Sequence, residues 1–240
     1  MAKPSAHLTS RDRKILEYVF RHRLGTDAIF RQCFFPDVQA NAAVRKVTKR
    51  LVERRFLREY SLAANEFYYI LAPRGARAIG VKPCEPRPFT DQSLPSALAI
   101  AYHCAARGLK RFTAQEFVTT YPFFCRPGLR SSGYFIEQNA NGLRIGFFII
   151  DRGATPRVML SKIRKVISKR YKLREFAKLM QDRRFVLVIL TGYPEKKQQL
   201  DDSISRRHRG PVQVRVEVVP ELGLLLTRLQ SHEAARRDQP

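Results

Sequence analysis

Tryptophan is absent from this 240-residue chain, and acidic side chains are scarce, 21 Asp and Glu against 45 Lys and Arg. The imbalance leaves a formal net charge of +24. An excess of that size must find anions or repel itself, and nucleic acid is the first partner class it points to. An anionic membrane surface is the rival. No basic amphipathic stretch carries interfacial Trp, and no apolar run approaches the ~20 residues that a bilayer span needs. Cysteine is sparse as well. Cys33, Cys84, Cys104 and Cys125 are far apart and never form CxxC, and the five histidines are equally scattered. Neither set has the spacing of a zinc site, so the expectation is buried thiols, no metal and no cofactor. His103 beside Cys104 is an adjacent pair that a helix would point about 100° apart. No P-loop, no Gly-x-Ser-x-Gly elbow and no HxH motif of a two-histidine relaxase is present. The first residues, MAKPSAHLTSRDRK, lack the apolar core of a signal peptide, so a cytoplasmic location is expected.

What is present is a foldable chain. Hydrophobic residues make up 44%, with 16 Phe, which excludes a basic disordered tail and allows one large or two small domains. The most informative stretch runs from Asn41 to Arg58, NAAVRKVTKRLVERRFLR. Val44, Val47, Leu51, Val52 and Phe56 form an apolar stripe at helical spacing. Arg45, Lys46, Lys49, Arg50 and Arg54 fall on the other side, interrupted by Glu53. Asn41 is placed to cap the helix or to read an adenine edge. Arg54, Arg55 and Arg58 would meet flanking phosphates. Upstream, Thr9 and Asp12 form a capping-box-like pair for a first helix with Ile15, Leu16, Val19 and Phe20 inward, closed at Leu24-Gly25. Thr26 caps a second, with Ile29, Phe30, Cys33 and Phe34 inward. Downstream, LREYSL and EFYYIL read as two strands joined at Ala63-Ala64-Asn65, and Pro73 opens a small helix. Helix, helix, basic helix, hairpin is the order of a winged helix-turn-helix, expected over 1–80, with only a weak contact from its uncharged wing tip.

Residues 81–96 carry Pro83, Pro86, Pro88 and Pro95 and read as a semi-rigid linker. A second domain is expected over 97–230, followed by a flexible tail, 231–240. Its pattern is an apolar helix, a short helix, a hairpin across Asn139–Gly142, a long helix from Pro156 to about Asp182, the apolar strand RFVLVIL, a helix, the alternating strand VQVRVEVV and a last helix. That order describes a mixed sheet flanked by helices. Between Thr155 and Arg184 eleven cations face two acids. Arg157, Lys162, Arg164, Lys165, Lys169, Arg170, Lys172 and Arg174 read as a phosphate track.

The winged helix, the Pro-rich joint and the segment GFFIIDRGATPRVMLSKIRKVISKRY together resemble the replication-relaxation family of plasmids and integrative conjugative elements. The resemblance implies an α+β chain: a winged helix followed by an α/β restriction-endonuclease-like domain. It also implies a bacterial, nucleoid- or plasmid-associated protein. Its most specific piece is the strand ending in Asp151-Arg152-Gly153 followed by a basic helix with Lys162 and Tyr171. The family pattern runs Glu, any residue, Asp, Arg, Gly. Here Ile149 stands at the Glu position, and Ser131-Ser132 stand where the family has Pro-Asp. Two carboxylates are needed to hold a hard cation against a phosphate. With Asp151 alone, and Glu137 a substitute only on the same side of the sheet, the active site reads as degenerate.

The expected function is therefore double-stranded DNA binding without catalysis, in processing, replication or mobilisation of a mobile element or in transcriptional regulation. Expected partners are duplex DNA, a second copy of the chain, and relaxosome or replication proteins, with no membrane. Two alternatives stay open: a metal-dependent nicking enzyme using Asp151 and Lys162, and a basic scaffold for a protein partner.

Overall fold

The structure, a computed structural model, describes residues 8–63, 66–139 and 142–237. The chain divides into two compact units, Met1–Thr90 and Asp91–Pro240, both mixing helix with strand. Among the described residues no helix is long and apolar enough to cross a membrane.

In the first unit, α1 (Ser10–His22) starts at a complete capping box: Thr9 Oγ1 accepts from the Asp12 N–H at 3.1 Å, and Asp12 Oδ2 accepts from the Thr9 N–H at 3.0 Å. Ile15, Leu16 and Val19 are buried, whereas Phe20 is 39% exposed and not part of the core. The helix closes on Arg23 in the left-handed region (φ 72°), not on Gly25. Gly25 instead belongs to a short strand, β1 (Gly25–Thr26), where a Cβ would lie 2.3 Å from the Phe30 ring. Thr26 caps α2 (Asp27–Phe34) through the Ile29 N–H. Then come α3 (Asn41–Glu53), the hairpin β2 (Leu57–Ala63) and β3 (Glu66–Leu71), and α4 (Pro73–Ala78). The hairpin's turn at 64–65, where the wing tip was expected, lies outside the described residues. The sheet is three-stranded, ordered β1-β3-β2 and antiparallel throughout.

The expected linker is in part a piece of the first unit. The Tyr60 hydroxyl donates to the Pro86 carbonyl at 2.8 Å, the Phe89 N–H donates to the Tyr68 hydroxyl at 3.1 Å, and the Arg23 guanidinium lies over the Phe89 ring. Proline-rich chain offers few backbone donors, so it is held here by side chains that come to it. The boundary falls at Thr90/Asp91, inside 81–96, and the next helix already begins at Leu94.

The second unit is a five-stranded mixed sheet, ordered β4-β5-β6-β7-β8. Its strands are β4 (Lys110–Arg111), β5 (Tyr134–Asn139), β6 (Gly142–Ile150), β7 (Phe185–Thr191) and β8 (Gln213–Val218). β4, β5 and β6 pair antiparallel, and β6, β7 and β8 parallel. The β5–β6 turn, 140–141, lies outside the described residues. β7 is buried along its whole length, as its uninterrupted apolar run requires of a strand covered on both faces. Phe185, Leu187 and Ile189 point to one face, with α6 (Ala114–Thr120), α7 (Pro156–Tyr171), α8 (Arg174–Gln181) and α9 (Pro194–Arg207). Val186, Val188 and Leu190 point to the other, with α5 (Leu94–Arg107) and α10 (Pro220–Arg237). The long helix expected from Pro156 to Asp182 is two helices, because the chain leaves the helical path at Leu173 to bury that side chain. α10 continues through 231–237, where a flexible tail was expected.

Candidate nucleic-acid interface

The basic helix α3 is amphipathic as its sequence requires, with Val44, Thr48 and Leu51 buried and Val47 and Val52 at the margins. Its cations divide into two groups. Arg45 and Arg50 lie on the flanks, where they meet carboxylates of the same unit. Arg45 Nη1 donates to Glu59 Oε2 at 2.5 Å and to the Tyr69 hydroxyl, lies 3.9 Å from Asp27 Oδ2, and stacks on the Phe67 ring. Asp27 also accepts from the Thr48 hydroxyl at 2.9 Å and the Tyr69 hydroxyl at 3.1 Å. Burial raises the Asp27 carboxyl pKa, against the lowering effect of those two hydrogen bonds and of Arg45. On the opposite flank Arg50 Nη2 donates to the buried Asp12 Oδ1 at 2.6 Å. These two arginines clamp α3 to α1, α2 and the hairpin: both were expected at DNA, and in the folded chain their guanidinium groups are paired with carboxylates of the same unit while staying partly exposed.

Lys46 and Lys49 are exposed, with Ala42, Ala43 and Glu53 beside them. Asn41 is exposed too, but it is not the cap. The cap residue is Ala40, which makes no side-chain hydrogen bond, and Asn41 is the first helical residue, so its amide is not used by the helix terminus. Arg54 ends the helix half-buried, and its carbonyl accepts from Arg74 Nη1 at 3.1 Å. Arg58 is exposed and sits 3.8 Å from Glu85. No family model, curated protein or solved structure matches the chain. The site therefore stands on its own geometry.

In the second unit the exposed side of α7 carries Arg157, Lys162, Arg164, Lys165 and Lys169, continued by Lys172 and Arg174 beyond its end. The helix contains no acidic residue. At ~1.5 Å per residue its 16 residues span about 24 Å, and the exposed cations from Arg157 to Lys169 occupy about 18 Å of that. Tyr171 (51% exposed) and Val158 (47%) stand on the same face, an apolar admixture that a count of charges does not show. Arg170 is the exception and a correction. It is buried, its Nε donates to the Tyr134 hydroxyl at 2.9 Å, its Nη1 donates to the Val166 carbonyl, and its guanidinium lies 4.0 Å from the Phe147 ring centre. Burial pushes its pKa down, and Tyr134 pushes it up. Helical phase separates it from Lys169: one position along, the side chain turns by about 100° into the core.

Asp151, at the end of β6, is buried. Its Oδ1 accepts from the N–H groups of Gly153 (3.1 Å) and Ala154 (2.9 Å), and its Oδ2 accepts from the Thr191 hydroxyl (3.3 Å). The carboxylate organises the loop into α7. Gly153 sits at φ 92° in that loop, a conformation suited to glycine. No contact joins Asp151 to Lys162, which points to solvent. Glu137 faces Arg144 in the β5–β6 register; Arg144 precedes Asp151 by seven residues, which places Glu137 roughly 20 Å from Asp151 along the strand. There it is paired with Arg215 (2.6 Å) and Arg144 (3.5 Å). The two carboxylates are not brought together, and among the described residues no group of three His, Cys, Asp or Glu is arranged to hold a metal ion.

Proposed function

We propose that this chain is a double-stranded-DNA-binding protein that holds DNA through two basic surfaces and does no chemistry on it. The observation that carries the reading is the α7 face, where exposed cations from Arg157 to Lys169 extend about 18 Å with no acid on the helix and, among the described residues, no internal partner for their charges. A row of that length is commensurate with about five base-pair steps of backbone. In this reading the first unit is a winged helix whose α3 enters the major groove. Lys46 and Lys49 meet phosphates or guanine edges there, and the Asn41 amide, which has no hydrogen bond among the described residues, pairs with adenine. Arg45 and Arg50 fix the angle of the helix without touching the DNA. The second unit is a restriction-endonuclease-like core without working metal ligands: Asp151 is committed to its loop and Glu137 to two arginines. Together with the resemblance to the replication-relaxation family, this supports a role in processing, replicating or mobilising a plasmid or integrative element, or in regulating its transcription. A second copy of the chain and relaxosome or replication proteins fit that role as partners.

The test is selection of bound duplexes from a random pool at ~150 mM salt, where non-specific affinity is already weak. Enrichment of one motif, lost in the Lys46→Ala/Lys49→Ala variant, is the expected result. Binding without enrichment would refute base readout by α3, and no binding at all would refute the proposal. Conversion of supercoiled plasmid to open circles by Mg²⁺ or Mn²⁺, above a metal-free control, would contradict the absence of catalysis.

A further inference from the structure

The first unit has a concave feature that gathers Arg55 and Arg58, two of the arginines expected at flanking phosphates, with two arginines of α4. A cleft of 740 Å³ opens where α3, β2 and α4 meet. Four arginines line it: Arg55 from the turn after α3, Arg58 from β2, and Arg74 and Arg77 from α4. Its floor is aliphatic, built from Val52, Leu57 and Ala72, with Pro73 and Pro86 as walls. Local features shape the cleft and hold one of its arginines, Arg74. Arg55 sits in the left-handed region (φ 60°). Arg74 lies 4.7 Å over the Phe56 ring while donating to the Arg54 carbonyl. Gly75 lets α4 approach the β2 side closely, since a Cβ there would meet the Phe56 carbonyl oxygen at 2.2 Å.

We infer that this cleft is a docking site for an acidic peptide segment of a partner protein, one that alternates carboxylates with aliphatic side chains. Guanidinium forks pair bidentately with carboxylates, and four of them converge here around an apolar floor. The chain itself supplies a miniature of such a ligand: Glu85 reaches Arg58 at 3.8 Å, and the next residue, Pro86, forms a wall. That pair is exposed on both sides and weak, so an incoming carboxylate displaces it at little cost. Nucleic acid fits the cleft less well. Single strands bind on aromatic platforms, and no aromatic side chain lines this cleft.

The experiment uses the full chain and a fluorescein-labelled peptide, Asp-Glu-Leu-Asp-Glu-Leu-Pro, followed by anisotropy at ~150 mM salt. The expected result is saturable binding that weakens at least about tenfold in Arg55→Ala/Arg77→Ala, the loss of two charge-assisted contacts. It should stay within about twofold in Lys46→Ala/Lys49→Ala, while duplex affinity shows the reverse order. Two control peptides separate the contributions. Replacing the acids by Asn and Gln tests the arginines, replacing Leu by Ser tests the floor, and each should weaken binding. The inference is overturned if the Arg55→Ala/Arg77→Ala variant, melting as the wild type does, keeps its peptide affinity. It is also overturned if that variant loses oligo(dT) or duplex binding as much as peptide binding, because the cleft would then be a nucleic-acid contact.

Discussion

Neutralising three residues of the α7 row, Arg157→Ala, Lys165→Ala and Lys172→Ala, should flatten the salt dependence of DNA binding by a calculable amount. All three are exposed, and none forms an ion pair among the described residues. Each phosphate that a protein neutralises adds about 0.9 to the slope of log affinity against log salt for duplex DNA. Three lost contacts therefore lower the slope by about 2.7. Between 50 and 200 mM salt, a fourfold change, the wild type should lose about 40-fold more affinity than the triple variant. The assay is anisotropy of a labelled 30-base-pair duplex titrated at four salt concentrations in that range. Since exposed surface substitutions change stability by about 0.5 kcal/mol or less, melting temperatures should agree within a few degrees. An unchanged slope at unchanged stability would show that the α7 row meets solvent and not phosphates, and would remove the observation on which the function rests.

Other predictions follow from the division of cations into clamps and free charges. Arg50→Ala leaves the buried Asp12 carboxylate without its cation and should cost about 1 kcal/mol in thermal unfolding, a figure discounted for the half-exposed guanidinium. Lys46→Ala should leave the melting curve in place and lower duplex affinity; equal losses of stability in the two variants would contradict the division. Asp151→Ala removes the acceptor for two backbone N–H groups and the Thr191 hydroxyl, and should cost about 2–3 kcal/mol by calorimetry, with Asp151→Asn losing less. Melting identical to the wild type would show that the carboxylate does not anchor the loop. His103 is buried, and burial pulls its pKa down to about 4. An unfolded histidine takes up its proton near pH 6.5, so stability is full above that pH and falls as pH drops from about 6.5 to 4, by up to about 3 kcal/mol. In chemical denaturation across pH, His103→Gln should lack that part of the acid loss; identical pH profiles would refute it.

Much of the fold was legible because its signals are local. The capping box at Thr9 and Asp12, the cap at Thr26, the alternating hairpin strands and the apolar run of β7 each depend on residues within one turn or one strand, and each stands where its pattern placed it. The errors came from tertiary causes. Gly25 looked like a helix stop, but its small size serves the Phe30 ring and its backbone pairs with Tyr69. The proline-rich stretch read as a semi-rigid linker between domains, yet Tyr60, Tyr68 and Arg23 hold part of it to the first unit. The candidate site was legible in its cations and not in their fates. Arg45 meets Glu59 across 14 positions and Arg50 meets Asp12 across 38, and no spacing rule connects them. Arg170 differs from Lys169 only by helical phase, and a weak amphipathic pattern left that phase undecided. The Arg74 and Arg77 pair in PRGAR carried a usable signal, an i,i+3 spacing that puts both on one side of a helix.

Internal ion pairs do not alter the net charge, because each removes one cation and one anion from the surface together. Pairs such as Arg45 with Glu59, Arg50 with Asp12 and Glu137 with Arg215 instead concentrate the imbalance: they consume carboxylates that would otherwise have tempered the surface. The formal charge of +24 is then carried mostly by exposed side chains, which repel one another across solvent. That repulsion is screened over about 10 Å at 0.1 M salt and over about 30 Å at 0.01 M, whereas the short, partly buried pairs are screened far less. Salt should therefore act with opposite signs on the two properties of this protein. From about 10 to 200 mM, the melting temperature of the free chain should rise by roughly 2–4 °C for each kcal/mol of repulsion relieved, while its duplex affinity falls. Scanning calorimetry in potassium chloride and anisotropy on the same samples read both. A melting temperature that falls with salt would mean that attractive pairs outweigh the surface excess. The basic faces would then be balanced within the folded chain and would have no electrostatic need of a polyanion.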